Sequence, residues 1–150
     1  MKTKTLTFLG LFFLCVSYHS WGQENQKLDS LIQSYETQDD SIDKLTTLHK
    51  IFIQQLRNGK ISEAKRYVKI QLKLAKKLNS ERGKAKALGN LGIIYNSTYV
   101  LDSARYYYEK SCKLWEELGD KGELLSMKNS LIKIEPVSYT HLTLPTILLV

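Results

Sequence analysis

The sequence predicts an all-α fold in which antiparallel helix pairs stack side by side. Three observations predict it. Lys, Glu, Leu and Ala dominate the chain as far as Glu135, with the apolar residues at helical spacing. Turn-forming clusters interrupt that pattern: Asn58-Gly59, "NSERG" from Asn79, "NSTY" from Asn96 and "GDKG" from Gly119. Finally, "NGKISEAKRYVKIQLKLAKKLNS" (Asn58 to Ser80) aligns without a gap on "TYVLDSARYYYEKSCKLWEELGD" (Thr98 to Asp120), an offset of forty. A length of 150 residues holds at most one ordinary domain.

The first element is not part of that fold. "MKTK" is a basic start, "TLTFLGLFFLCVS" an apolar run and "YHSWG" a small-residue exit, which together read as a secretory signal peptide over residues 1–22. Leu6 to Val16 falls short of the roughly 20 apolar residues of a membrane-spanning helix. Export places the rest in the periplasm or another extracytoplasmic, membrane-associated space. Loss of Lys2 and Lys4 lowers the formal charge from +7 to +5. The remaining cations are interleaved with Asp and Glu, without the basic run that tracks phosphates, so no nucleic acid is expected as a partner.

Residues 23–40 contain a short amphipathic helix, "LDSLIQSYE", expected to cover the open N-terminal end of the stack. The repeats occupy 41–136, divided as 41–80, 81–120 and a partial 121–136. The first unit pairs Ser41 to Arg57 with Ser62 to Leu78, and the second pairs Glu81 to Ser97 with Asp102 to Leu118. Ser62 and Asp102 are expected to cap their helices, accepting from the first unpaired backbone N–H groups. The offset pairs Ala64 with Ala104, Tyr67 with Tyr107, Leu74 with Leu114, Ile51 with Leu91 and Ile53 with Ile93.

"NLGIIYNSTYVLDSARYYYEKS" resembles a tetratricopeptide repeat (TPR), carried by Leu91-Gly92, Tyr95, Ala104 and Tyr108. The resemblance implies a TPR-like solenoid of long period, in which Gly92 and Ala104 sit at a helix crossing too close for larger side chains. Tyr95 and Tyr108 fill the space on either side. Unit one keeps only Ala64: Phe52 replaces the glycine, Gln55 the first aromatic and Val68 the second. The same resemblance implies a concave groove lined by the first helix of each unit. Its candidate residues are Lys50, Ile53 and Arg57 in unit one and Lys86, Asn90, Ile93 and Ser97 in unit two, with Lys128 and Lys133 continuing the row. That groove is expected to be basic, with Ile53 and Ile93 as an apolar floor, and to take a protein or peptide with acidic groups.

Chemistry-bearing residues are few. Once residues 1–22 are removed, Cys112 is the only cysteine, and His49 the only histidine before the tail. A histidine-based metal site or triad has almost nothing to be built from, and no glycine-rich phosphate loop occurs, so no catalytic residue, metal or cofactor is expected. His49 reads as a surface residue. In "YYY", Tyr108 belongs to the core, Tyr107 to the contact between repeats and Tyr106 to the half-exposed surface, because neighbours on a helix diverge.

The tail, 137–150, changes style. Pro136 cuts the third unit, and "VSYTHLTLPT" resembles a translated transposon-end sequencing adapter. On that reading the natural chain continues beyond Glu135. Signal peptide, short helix and long-period repeats together resemble the N-terminal sensory or scaffold half of exported bacterial TPR signalling proteins. The expected function is an exported protein–protein interaction module. The alternative is a fragment of a TPR-containing sensor histidine kinase or transcriptional regulator whose output domain is missing. Membrane contact is then expected only through the signal peptide or a downstream helix.

Overall fold

The computed structural model describes residues 26–134, and every regular element among them is an α-helix. Residues 26–37 are helical and form α1. They are followed by α2 (Ile42–Arg57), α3 (Ile61–Lys77), α4 (Glu81–Ser97), α5 (Leu101–Glu117) and α6 (Lys121–Ile134). From α2 onward each helix packs on the next in sequence, and α2 also touches α4. The signal-peptide segment 1–22 and the tail 137–150 lie outside the described residues.

The helices from α3 to α6 begin at 61, 81, 101 and 121, a step of twenty, so a pair of helices recurs every forty residues. One backbone turn sets that step. Residues Gly59, Asn79, Tyr99 and Gly119 all have positive φ, at 70°, 50°, 58° and 67°. Around each, the next N–H returns to a carbonyl five residues back: Lys60 to Gln55, Ser80 to Ala75 and Val100 to Tyr95 at 2.9 Å, Asp120 to Trp115 at 3.0 Å. The N–H groups of residues 59, 79, 99 and 119 themselves bond the carbonyls three residues back. This double closure is the Schellman motif, which satisfies the last helical carbonyls and reverses the chain. Glycine suits the left-handed position, and asparagine tolerates it. Tyr99 does neither, and it is 88% exposed, so no burial compensates the strain.

The helix starts alternate. Ser41 Oγ accepts from Lys44 N–H at 3.2 Å, Ser80 Oγ from Gly83 N–H at 3.1 Å and Asp120 Oδ1 from Glu123 N–H at 3.2 Å. α3 and α5 instead begin at Ile61 and Leu101, with Lys60 and Val100 before them and no side-chain cap. Ser62 and Asp102 are therefore not the caps the sequence predicts. The turn brings the chain back into helical geometry two residues past the left-handed position, so both already lie in the first turn. There Asp102 still faces the positive end of the helix dipole.

The core runs as three clusters in series. Leu28 of α1 joins Leu45, Leu48 and Ile51 of α2 and Tyr67, Leu74 and Ala75 of α3, so α1 covers the N-terminal end of the array. Phe52, Ala64, Val68, Ala87, Leu91 and Ile94 tie α2 and α3 to α4. Ala85, Ala104, Tyr108, Trp115, Met127 and Ile134 tie α4 to α5 and α6. Among the residues of the TPR-like pattern, Ala64, Leu91, Gly92, Ala104 and Tyr108 are buried, while Tyr95 is half-buried and stacks on Tyr107 at 5.3 Å. A Cβ on Gly92 would stand 2.5 Å from Tyr108 Cδ1, so the glycine is required by the close approach of α4 and α5. The three tyrosines divide as their helical spread dictates: Tyr108 2% exposed, Tyr107 half-buried, Tyr106 52% exposed. The forty-residue offset also relates hydrogen bonds. Gln71 Nε2 donates to the Leu45 carbonyl at 3.3 Å, and Ser111 Oγ donates to the Ala85 carbonyl at 2.8 Å.

Two substitutions test this packing by thermal melting followed by circular dichroism. Tyr99→Gly is expected to stabilise the fold by about 1 kcal/mol, the order of the left-handed penalty. Gly92→Ala is expected to destabilise it by about 1–3 kcal/mol, because the new methyl displaces the Tyr108 ring.

Candidate functional site: a cleft over Trp115

The first helices of successive units, α2, α4 and α6, form the walls of a cleft. The α2 wall presents Ile42, Thr46 and His49, the α4 wall Lys86, Asn90 and Ile93, and the α6 wall Glu123. Trp115 of α5 lies beneath, 1% exposed. The cleft comprises two cavities of about 170 Å³ each, and His49, Lys86, Trp115 and Glu123 line both. Lys86 and Glu123 form an ion pair where the cavities meet.

Electrostatics here differ from the expected basic groove. Lys86 is neutralised by Glu123, and Arg82 pairs with Asp120 at 2.7 Å. Both cations also lie over the Trp115 ring, Arg82 at 5.4 Å and Lys86 at 5.9 Å from its centroid. Their side chains keep substantial exposure, 64% for Arg82 and 35% for Lys86. Ion pairs in such positions contribute little net stability.

A buried polar line ties the cleft to the core. Asn90, 3% exposed, donates from Nδ2 to Gln71 Oε1 at 3.0 Å and to His49 Nδ1 at 3.0 Å. Gln71 passes the line on to the Leu45 carbonyl. Three helices are joined by these bonds, and Asn90 is committed to them rather than projecting freely into the groove. His49 is half-buried, not a surface residue. Burial holds its pKa below the usual imidazole range, the nearby Lys86 charge lowers it further, and Glu123 opposes both. The Asn90 contact acts in the same direction, since a protonated Nδ1 would point a hydrogen at the amide donor.

No protein-family model matches this chain, and no curated protein matches it.

Of the seven groove residues expected from the sequence, the structure gathers Lys86, Asn90 and Ile93 in the cleft. Lys50 and Arg57 are exposed and do not line it. Lys50 follows His49 directly and is turned about 100° away from the cleft-facing stripe. Ile53 continues the His49 stripe but packs into the middle core cluster. Ser97 bonds back to the Ile94 carbonyl at 2.8 Å, closing its own helix. Sequence reasoning missed His49, Gln71, Trp115 and Glu123 as cleft residues. The available signal was polar: Gln71 interrupts an otherwise apolar face between Val68 and Leu74, and its repeat partner Ser111 does the same. Among the described residues, no cluster of three His, Cys, Asp or Glu side chains is arranged to hold a metal, and no helix is long and apolar enough to cross a membrane.

His49 gives the fold a pH dependence with a definite sign. A histidine whose folded pKa is depressed stabilises the fold above its unfolded pKa, and that stability is lost as pH falls through the folded value. The melting temperature is expected to fall from about pH 8 to about pH 5, on either side of the unperturbed imidazole pKa. Asp40 and Asp120 carry depressed carboxyl pKa values and so act only at lower pH. His49→Gln should flatten the pH 8 to pH 5 profile, measured as melting temperature at each pH.

Proposed function

We propose that this chain is a non-catalytic peptide-binding and assembly module of the TPR-like solenoid type. It takes an extended segment bearing carboxylates along the cleft over Trp115. One observation carries the reading: two cations, Lys86 and Arg82, lie over a buried tryptophan at the centre of a cleft walled by the first helix of each unit. Their present partners, Glu123 and Asp120, are side chains that a ligand carboxylate mimics. The half-buried Ile93 supplies apolar contact beside them. The forty-residue spacing of helix pairs supports the solenoid reading, and the Gly92–Tyr108 approach supports the TPR-like crossing. The apolar N-terminal run supports an exported, periplasmic location. Such a chain acts as the sensory or scaffold part of a longer signalling protein.

Binding is tested with two panels of short peptides, one rich in Asp and Glu with free C-termini, the other rich in Lys with amidated C-termini. Tryptophan fluorescence is the readout, on the chain without residues 1–22, where Trp115 is the only tryptophan. Acidic peptides should quench or shift the emission in a saturable way. Lys86→Ala should weaken them about tenfold, the equivalent of about 1.4 kcal/mol. A response to neither panel, or equal response of wild type and Lys86→Ala, rejects the cleft as the binding site.

A further inference from the structure

The outer face, opposite the cleft, carries a second pattern. On α3 the residues Arg66, Lys69, Lys73 and Lys76 are all exposed and follow one another at spacings of three and four, forming a single ridge. On α5 the repeat offset places Tyr106, Glu109, Lys113 and Glu116 at the equivalent positions, all exposed. The repeat thus reverses the sign of charge at two ridge positions: Lys69 becomes Glu109, and Lys76 becomes Glu116. None of these four side chains pairs with an oppositely charged described residue.

We propose that these ridges join two copies of this chain into a symmetric dimer. α3 and α5 run in the same direction, because each short turn reverses the chain once and two turns separate them. The α2–α4 pair shows the same sense, with Leu45 near Gly83 and His49 near Asn90 in rising order. A two-fold axis parallel to the helices, midway between the ridges, lays α3 of one copy on α5 of the other in unshifted register. Lys69 then faces the partner's Glu109 and Lys76 the partner's Glu116, each pair occurring twice. Arg66, held by Glu63 at 2.8 Å, meets the half-exposed ring of the partner's Tyr106. Lys73 opposite the partner's Lys113 is the one like-charged meeting in the row. An in-plane axis across the helices would instead set α3 on α3, four cations against four, so charge alone selects the orientation. A flat anionic surface suits the arrangement less well, because the acidic α5 ridge shares the face and would be repelled. The proposal uses the outer face and is independent of the cleft.

Sedimentation velocity on the full chain tests it at about 0.05 M and about 0.5 M salt, between which screening shortens several-fold. Wild type should self-associate with concentration at low salt and dissociate at high salt. K69E/K76E and E109K/E116K should each associate at least about tenfold more weakly, since four pairs become repulsive. Mixed in equal amounts, the two variants should recover the dimer, because every ridge again meets its complement. Unchanged helical circular dichroism checks their folding. If either double variant is unfolded, the single exchanges K69E and E109K take its place in the same design. A wild type monomeric at low salt, a dimer persisting in either variant alone, or a mixture that stays monomeric would each overturn the proposal. Binding of the wild type to phosphatidylglycerol vesicles without self-association would also overturn it and assign the α3 ridge to a membrane.

Discussion

Left-handed residues at 59, 79, 99 and 119 fix the geometry on which everything else in the array rests. Each closes its helix by the same pair of backbone hydrogen bonds, and each connection is equally short. The chain therefore follows the same backbone path at every reversal from α2 to α6. A small residue becomes obligatory where that path brings axes close, as at Gly92 against Tyr108. Large ones become useful where it leaves room, as at Tyr108 and Trp115. The backbone turn is prior to the side-chain pattern: it holds even at Tyr99, where the residue type opposes it.

Polar groups do a different job from the apolar clusters. The clusters are sequential, each bridging neighbouring helices, and would tolerate some sliding. The line from the Leu45 carbonyl through Gln71 and Asn90 to His49 does not, because its bonds have direction. It pins α2, α3 and α4 in register directly beside the cleft. The ion pair of Lys86 with Glu123 then spans from α4 to α6. Cleft shape and core register are thus coupled through adjacent residues on one face of α4.

Much of the fold was legible in the sequence because periodicity is a backbone property. Helix boundaries fell within a residue or so of those expected, the offset of forty recurs in the hydrogen bonds of Gln71 and Ser111, and α1 covers the expected end. The caps were less legible: Ser62 has the right chemistry for one, but a Schellman turn leaves no room for it there. The site was only partly legible. Lys86 and Ile93 could be placed by the repeat alignment, but the charge environment of the α4 cations could not, since Glu123 comes from the next unit and Asp120 from the far end of their own. His49 looked exposed because its neighbour Lys50 is, although a helix turns adjacent residues to different sides. Unit one also keeps a cost of its departure from the pattern. Gln55 stands where unit two has Tyr95, and its buried Oε1 has no hydrogen-bond partner among the described residues.

Because helices contact mainly their sequence neighbours, cohesion is unevenly distributed. Among the described residues, α6 packs on α5 and buries Met127 and Ile134, whereas α4 packs on both α3 and α5. α6 also carries Glu123, so any displacement of α6 from α4 moves one wall of the cleft and the partner of Lys86 together. The cleft wall and the neutralisation of its lysine are thus one mechanical unit: the cleft cannot widen at α6 without baring the Lys86 charge.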